Sequence, residues 1–323
     1  MATFSHDAVF TDAFLCALKA SCAWWLSQKP QAPFFSVAQY DIWLRFCEKI
    51  VGSVLSSHNL FTYREKYLEP HRQSDAFFTG YYEPTLYGSL HKTEKYNHPL
   101  YQNPQHKNGL STFSRKDIYN GALYGENLEL LYVSDAIDAF FLEIQGSGRV
   151  VLENSSVMRV GYDGQNGHPY TAIGRILIAQ GEIKRENVSL FAIKKWLRHY
   201  PEKARTLMEE NASYVYFKQL KPHVTGIEGP IGTQTLPLTP FHSVAFDTGY
   251  WPFGMILLYD ISVEPAFSKN SLKGFALTQD TGGAIKGKSR FDLFCGETQE
   301  GEYLAGHLKH QGSATLWLPK KNL

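Results

Sequence analysis

Three aspartates in the C-terminal part of the chain have the chemistry and the spacing for acid/base work. Asp280 and Asp292 flank the glycine-rich stretch TGGAIKGKSRF, and Asp247 lies upstream in SVAFDTGYWPFG. Each aspartate closes or enters a short segment of alternating apolar residues, which is typical of a β-strand. Side chains at strand ends can converge on a cleft, so the pattern predicts that these carboxylates meet where a proton could be exchanged with a substrate.

The same stretch also matches the nucleotide-binding pattern G-x-x-x-x-G-K-[ST], because residues 282–289 read GGAIKGKS. A phosphate loop needs a helix after it, since the N-terminal amides of that helix hold the phosphates. The residues after Ser289, RFDLFCGET, alternate as in a strand and then turn. We therefore expect no nucleotide to bind this loop.

Composition narrows the class of protein. The 323 residues suit one large domain or two modest ones, and 43% hydrophobic residues are enough for a packed core. A net charge of +1 gives no electrostatic support for a nucleic-acid partner. The chain has 19 Tyr, 21 Phe and 6 Trp, which can build a core and also line a carbohydrate groove.

The N-terminal run VFTDAFLCALKASCAWWL is interrupted by Asp12 and Lys19 and has no basic leader. It predicts an amphipathic helix rather than a signal peptide or a membrane span, which needs about 18 consecutive apolar residues. Two locations remain open: the cytoplasm, or an exported protein whose export segment is not part of this sequence.

The cysteines and histidines do not predict a metal site. Cys16, Cys22, Cys47 and Cys295 show no CxxC spacing, so zinc is not expected. His307 and His310 lie close together in GHLKHQG, but no third ligand is near them in sequence. Cys22 and Cys47, on successive predicted helices, either form a disulfide in an exported protein or are small buried side chains.

The order of predicted elements favours an α+β or β-barrel architecture over a doubly wound sheet. Residues 9–68 are helical in pattern, and the chain becomes β-rich from Ala76. Residues 138–153, DAFFLEIQGSGRVVLE, alternate and predict a strand, with QGSGRV as a turn into the next strand. Helices follow between residues 171 and 211, and short strands run from Ser213 to the end.

Several motifs, taken in order, resemble the membrane-bound lytic murein transglycosylase A family of Gram-negative bacteria. The resemblance spans about residues 12–319, and its C-terminal part is similar to a module named for three aspartates, here Asp247, Asp280 and Asp292. The matching motifs include FTGYYEP, LEIQGSGRV, GYDGQNGHPYTAIGRIL, NASYVYFK, GPIGTQTLPLTP and DTGGAIKGKSRFDLFCG.

The resemblance implies an α+β, mainly β fold. It implies a double-psi β-barrel with flanking N-terminal helices, formed by residues 1–85 and 186–323. A second small β-domain would be inserted at residues 86–185 and form the other wall of a glycan-binding groove.

The resemblance also implies an activity. The family cleaves the β-1,4 bond between N-acetylmuramic acid (MurNAc) and N-acetylglucosamine (GlcNAc) in peptidoglycan, and it leaves 1,6-anhydroMurNAc ends. The catalytic acid/base would be Asp292, with no cofactor. Asp280 and Asp247 would orient the glycine-rich loop, although Asp280 is alternatively a like-charged neighbour that raises the pKa of Asp292. Residues expected to contact the sugars are Tyr81, Tyr82, Gln145, Gly146, Ser147 and Lys286.

The implied partners are peptidoglycan glycan strands and proteins of cell-wall synthesis or division, with no nucleic acid and no nucleotide. The implied location is the periplasm, as an outer-membrane lipoprotein whose export and lipid-anchor segment lies outside this sequence. The competing class is a non-catalytic glycan-binding barrel of the expansin-like kind. The residue at position 292 separates the two, because a protein that only binds glycan needs no acid there.

Overall fold

The structure is a computed structural model, and it describes residues 10–28, 34–104, 112–220, 229–263 and 271–323. The helices are α1 (Asp12–Ser27), α2 (Val37–Gly52), α3 (Ser57–Tyr67), α4 (Arg115–Tyr119), α5 (Ala136–Gln145), α6 (Ile173–Ala179), α7 (Leu190–His199), α8 (Pro201–Glu209) and α9 (Gln299–His307). The strands are β1 (Leu68–Tyr81), β2 (Thr85–Ser89), β3 (His98–Tyr101), β4 (Glu129–Val133), β5 (Ser147–Leu152), β6 (Val157–Gln165), β7 (Val215–Gln219), β8 (Ser243–Ala245), β9 (Ile256–Ile261), β10 (Leu272–Asp280), β11 (Arg290–Phe294) and β12 (Lys309–Pro319).

The chain divides into two compact units. The first contains Met1–Tyr82 and His223–Leu323, and the second contains Glu83–Pro222. The second unit continues past the predicted boundary at residue 185, because α7, α8 and β7 belong to it. Strand β7 explains this assignment, since it pairs along its length with β6 and so ties the segment before Pro222 to the second sheet.

A closed β-barrel forms the centre of the first unit, with strand order β1-β11-β8-β10-β9-β12. Strand β1 runs parallel to β11 and places Thr79 opposite Asp292. Strand β8 places Ala245 opposite Asp292 on one side and opposite Asp280 on the other. The barrel register therefore brings Asp280 and Asp292 onto strands that flank the same short strand.

Helices α1 and α2 pack against this barrel, as the helical pattern of residues 9–68 predicts. Thr11 caps α1 by accepting a hydrogen bond from the Phe14 amide, and a capping box of Ser36 and Gln39 begins α2. Their apolar faces join the barrel core, where Phe14 and Trp43 are fully buried. Burial of each such side chain stabilises the fold by about 1.5–3 kcal/mol.

The second unit contains a sheet with strand order β3-β4-β2-β5-β6-β7 and the helices α4 to α8. It contains a buried ion pair, in which both terminal nitrogens of Arg115 donate to the carboxylate of Glu143 at 2.9 Å. The Arg115 side chain also donates to the carbonyl of Asn211 at 2.8 Å. These bonds tie α4 and α5 to the segment before β7.

The strand predicted over residues 138–145 is wrong, because α5 occupies Ala136–Gln145. Asp135 caps the helix by accepting from the amides of Ile137 and Asp138, and Gly146 ends it in the left-handed region at φ 79°. The helix has apolar contacts on two sides, so its apolar residues form a nearly continuous run in which the 3.6-residue period of a one-faced helix is not visible. The QGSGRV segment is consequently a helix end that leads into β5, and not a turn between two strands.

In the described ranges, no helix combines the length and the apolar character needed to cross a bilayer.

Candidate active site

Asp292 lies on β11, half-buried, and one of its carboxyl oxygens is held by a neighbouring strand. The hydroxyl of Thr79 on β1 donates to Asp292 Oδ1, and Thr79 in turn accepts from Arg290 Nη2 at 2.8 Å. Burial raises the pKa of Asp292 to about 6 against the opposing effects of the Thr79 hydrogen bond and the Arg290 charge, and the charge of Asp280 adds to the rise. The carboxyl therefore keeps its proton much closer to neutral pH than an exposed aspartate does.

Asp280 ends β10 and has donors on both oxygens. Its Oδ1 accepts from the amide and from the hydroxyl of Thr233, both at 3.0 Å, and its Oδ2 accepts from the Tyr81 hydroxyl at 2.9 Å. Burial raises the pKa of Asp280, while these hydrogen bonds and one from the Thr281 amide oppose the rise. Asp280 thus connects β1, β10 and the segment around Thr233.

Asp247 follows β8 and holds the glycine-rich loop through backbone amides. Its Oδ2 accepts from the Gly287 amide at 2.8 Å, and its Oδ1 accepts from the Gly249 amide at 3.0 Å. The Gly287 bond is the main cause that lowers the pKa of Asp247. Gly287 has φ 108°, a conformation that favours glycine, so the residue type at 287 allows the loop to turn its amide toward the carboxylate.

The three aspartates differ in whether both of their carboxyl oxygens accept hydrogen bonds from the protein. Both oxygens of Asp247 and both of Asp280 accept hydrogen bonds from the protein. Asp292 Oδ2, by contrast, receives no donor from any of the described residues. Asp292 is therefore the one carboxyl of the three with both a raised pKa and an oxygen left for a substrate.

The glycine-rich loop is not built as a phosphate loop. Residues 282–289 form turns, and the residues that follow them are strand β11. In that position a phosphate loop has a helix, whose N-terminal amides would bind the phosphates. The strand instead serves to place Asp292 two residues after Arg290 on the same face of the barrel wall.

Comparisons with known proteins identify the family of this chain. The MltA specific insert domain matches residues 77–218, and the 3D domain matches residues 242–318. The membrane-bound lytic murein transglycosylase A of Vibrio cholerae is 34% identical over 247 residues, which are 75% of this chain and 65% of that protein. The solved structure of the lytic transglycosylase LtgG of Burkholderia pseudomallei is 33% identical, with a TM-score of 0.64, and covers 96% of this chain and 90% of its own. The chain belongs to the membrane-bound lytic murein transglycosylase A (MltA) family.

The MltA fold extends over the whole chain. The structure of Escherichia coli MltA with bound chitohexaose has a TM-score of 0.77 at 24% identity, and it covers 100% of this chain and 94% of its own. The predicted fold class is confirmed: a mainly β protein with a double-psi barrel, N-terminal helices and a second β-rich unit. This chain covers 65% of the length of the curated MltA relatives.

The structure places the sugar-contacting residues predicted in the first unit at different depths. Tyr81 is half-buried and directs its hydroxyl to Asp280. Tyr82 is only 4% exposed, and its hydroxyl donates to Glu302 of α9 at 2.9 Å, so it packs inside the unit and does not line an open surface. Lys286 is exposed on the glycine-rich loop, where its charge contributes to the lowered pKa of Asp247.

Gln145, Gly146 and Ser147 lie in the second unit, at the junction between α5 and β5. All three are half-buried, and Ser147 begins the antiparallel pairing of β5 with β6, whereas the parallel pairing of β5 with β2 begins at Arg149. Their role in sugar binding remains a prediction for this member of the MltA family.

Three residues of the first unit contribute to the site and were not singled out from the sequence. Thr79 lies inside the FTGYYEP motif, and Arg290 lies two residues before Asp292, a spacing that puts both on one face of a strand. That spacing was a usable signal for Arg290. Thr233 lies inside the GPIGTQTLPLTP motif, but no spacing links it to the aspartates, because only the fold brings its amide and hydroxyl to Asp280. In the described part of the chain, no cluster of His, Cys, Asp or Glu has the arrangement of a metal site.

Proposed function

We propose that this protein is a lytic murein transglycosylase in which Asp292 is the single acid/base. The observation that carries the proposal is the contrast among the three aspartates: Asp292 alone has both a pKa raised to about 6 and an oxygen without a donor from the described residues. Its substrate would be the glycan strand of peptidoglycan, in keeping with relatives named lytic murein transglycosylases and with the chitohexaose bound to Escherichia coli MltA.

In the first half-step, Asp292 donates its proton to the glycosidic oxygen between MurNAc and GlcNAc. The bond from C1 of MurNAc to that oxygen breaks, its electron pair goes to the departing oxygen, and C1 becomes oxocarbenium-like. A raised pKa is needed here, because an aspartate at its usual pKa of about 3.9 would already have lost the proton at neutral pH.

In the second half-step, the Asp292 carboxylate takes the proton of the C6 hydroxyl of the same MurNAc. The O6 atom bonds to C1, and the product is a 1,6-anhydroMurNAc end. Because the nucleophile is part of the substrate, its effective concentration is high and no water has to be positioned. Hydrolytic glycosidases need a second carboxylate as nucleophile or base, whereas this reaction needs only one.

Asp280 and Asp247 support the site without a direct role in proton transfer. The oxygens of Asp280 hold Thr233 and Tyr81, and those of Asp247 hold the amides of Gly249 and Gly287. Because both oxygens of each carboxylate accept hydrogen bonds, these two aspartates orient the neighbouring backbone and the glycine-rich loop. Lys286, exposed on the same loop, is a candidate to bind substrate oxygens.

The proposed location is the periplasm, in association with a membrane. The support is the name of the curated relatives, which are membrane-bound lytic murein transglycosylases. A lipid anchor on the outer membrane and partner proteins of cell-wall synthesis or division are part of the same proposal.

Digestion of purified murein, followed by mass spectrometry of the released muropeptides, tests the activity. Lytic cleavage gives anhydro ends, which lack the water that hydrolysis adds and which borohydride does not reduce. Asp292→Asn should lose activity by a factor of 10²–10⁴ or more (approximately, from the usual value of a general acid) while it still binds glycan. Asp75→Asn makes the same substitution at an exposed position of β1 and should cleave like the wild type.

Three results would refute the proposal in different ways. Reducing ends would show a hydrolase. Binding to murein without cleavage by the wild type would favour the expansin-like glycan-binding alternative. An Asp292→Asn variant with more than about a tenth of the activity would exclude this residue as the acid/base.

A further inference from the structure

A chain of hydrogen bonds connects Arg290 to Asp292 through Thr79. Arg290 Nη2 donates to Thr79 Oγ1 at 2.8 Å, and the Thr79 hydroxyl donates to Asp292 Oδ1. The guanidinium is itself held, because Nη1 donates to the Phe291 carbonyl at 2.6 Å and the group lies 5.1 Å from the centre of the Phe77 ring. The strand register explains the contact, since Thr79 pairs with Asp292 and Phe77 pairs with Arg290.

The direction of these bonds is fixed by the chemistry of the guanidinium. Arginine has only N–H donors, so the Thr79 oxygen must accept from Arg290. The single hydroxyl hydrogen of Thr79 is then left for Asp292 Oδ1. This arrangement suits both protonation states of Asp292, because Oδ1 accepts in the carboxylate and also in the acid whose proton is on Oδ2.

We infer that Thr79, held by Arg290, is a positioning residue that fixes the Asp292 carboxyl so that Oδ2 carries the transferred proton. The inference rests on the proposed function for its catalytic meaning, and its geometry is independent of that function. With Oδ1 engaged, one oxygen remains to face the substrate, and the same oxygen gives the proton to the glycosidic oxygen and later takes the proton of O6.

The charged and titratable groups around Asp292 act on it in both directions. Asp280 on β10 raises its pKa, whereas Arg290 on its own strand and the hydroxyl of Thr79 on β1 lower it. Tyr81 on β1 and Cys295 after β11 also feel the Asp292 charge, and their own pKa values are raised, first by burial, so both stay neutral near pH 7. Thr79 and Arg290 are thus the groups that limit the effect of burial and leave Asp292 able to act as an acid and then as a base.

The test is a measurement of the Asp292 pKa in substituted proteins, together with the pH dependence of cleavage. Carbon-13 NMR of protein labelled at the aspartate carboxyls gives the pKa, and Asp292→Asn identifies the signal by its loss. Thr79→Val removes the hydroxyl at nearly constant volume, so the pKa should rise by roughly one pH unit, as expected when a carboxylate loses a hydrogen bond. The high-pH limb of kcat should move upward by the same amount.

Two further variants and two controls sharpen the test. Thr79→Ser keeps the donor and should restore the wild-type pKa and pH profile. Arg290→Met removes the charge and the donor to Thr79, and it should also raise the Asp292 pKa. The matched controls are Thr315→Val on β12, a half-buried barrel threonine, and Arg72→Met, an exposed arginine on β1; both should leave the pKa unchanged.

An Asp292 pKa in Thr79→Val equal to that of the wild type would overturn the inference, and so would a failure of Thr79→Ser to restore it. If Thr79→Val does not fold, as judged by its melting curve, Arg290→Met and Thr79→Ser decide the question by the same titration. If the wild type does not cleave murein, the proposed function fails, yet the NMR titration still accepts or rejects the role of Thr79.

Discussion

At the scale of the residue, one side-chain type serves three purposes because its surroundings differ. Asp247 accepts amide hydrogen bonds that lower its pKa, whereas burial raises the pKa of both Asp280 and Asp292. Asp292 differs from Asp280 because its Oδ2 atom receives no hydrogen bond from the described residues. Environment, more than sequence position, therefore distinguishes the acid/base from the two aspartates that support it.

The role of Asp280 can be measured by Asp280→Asn. Asparagine can still accept from Thr233, but its amide nitrogen can only donate to the Tyr81 oxygen, so the hydroxyl hydrogen of Tyr81 loses its acceptor in a buried site. We expect a loss of about 1–3 kcal/mol in the free energy of unfolding, measured by denaturant titration. Removal of the negative charge should also lower the Asp292 pKa, which moves the high-pH limb of activity to lower pH.

The two effects separate the two roles of Asp280. Its charge is the smallest of the four causes that set the Asp292 pKa, so we expect the pH shift to be minor beside the loss of stability. If Asp280→Asn clearly shifts the high-pH limb of the activity profile but leaves the melting curve unchanged, the structural role of Asp280 is contradicted. Asp260→Asn on β9, where the carboxylate pairs with Lys273 at 3.5 Å, provides the control.

At the scale of the element, the sequence predicts helices better where caps and amphipathic period agree. Helices α1 and α2 have capping residues at Thr11 and Ser36 and one apolar face, so both signals gave the same answer. Helix α5 is apolar on two sides, so the helical period of its apolar residues is not visible in the sequence. Its caps are visible there, with Asp135 before the helix and Gly146 after it. These two cap residues alone indicate a helix between them.

The pairing of α1 with α2 leads to a prediction about their cysteines. Cys22 and Cys47 are both fully buried, and burial is the main cause that raises the pKa of Cys47, to which the neighbouring Cys22 thiol adds. In protein recovered from the proposed periplasmic location, we expect a Cys22–Cys47 disulfide, which would close a loop of about 25 residues and stabilise the fold by about 3 kcal/mol.

Intact mass after alkylation of the denatured, unreduced protein measures this bond. Labelling of Cys16 and Cys295 alone would agree with the disulfide, and labelling of all four cysteines would contradict it. Cys16→Ser, at an exposed position of α1, should leave the melting temperature and its sensitivity to reductant unchanged. Cys47→Ala should abolish that sensitivity.

At the scale of the whole molecule, the convergence of the carboxylates depends on the closing of the barrel. The strand segments around Asp247, Asp280 and Asp292 were readable in the sequence, as was the absence of a helix after the glycine-rich loop. The strand pairings that bring Asp280 and Asp292 together were not, because β8 pairs in parallel with β10 and antiparallel with β11, and β1 joins them from more than 200 residues away, as the separation of 213 between Thr79 and Asp292 shows. Periodicity within a segment contains no information about such pairings.

The same burial that prepares Asp292 for catalysis should cost the molecule stability at high pH. The folded pKa of about 6 lies above the usual value of 3.8, so the carboxyl favours the folded state fully below pH 3.8. This contribution is lost as the pH rises through 6, because the charged form must then be buried. Asp292→Asn does not titrate, so it should gain stability relative to the wild type between pH 4 and pH 8, by about 3 kcal/mol at most.

Urea unfolding of the two proteins at pH 4 and at pH 8 measures this gain as a double difference. Titrating groups far from Asp292 are common to both proteins, so their effects cancel, and the remaining pH dependence belongs to Asp292 and to groups coupled to it, such as Asp280. Asp75→Asn should show no such dependence, since it removes an exposed carboxylate. An equal difference at both pH values would mean that the folded protein does not raise the Asp292 pKa. Asp292 would then be ionised at neutral pH and could not supply the proton for the first half-step.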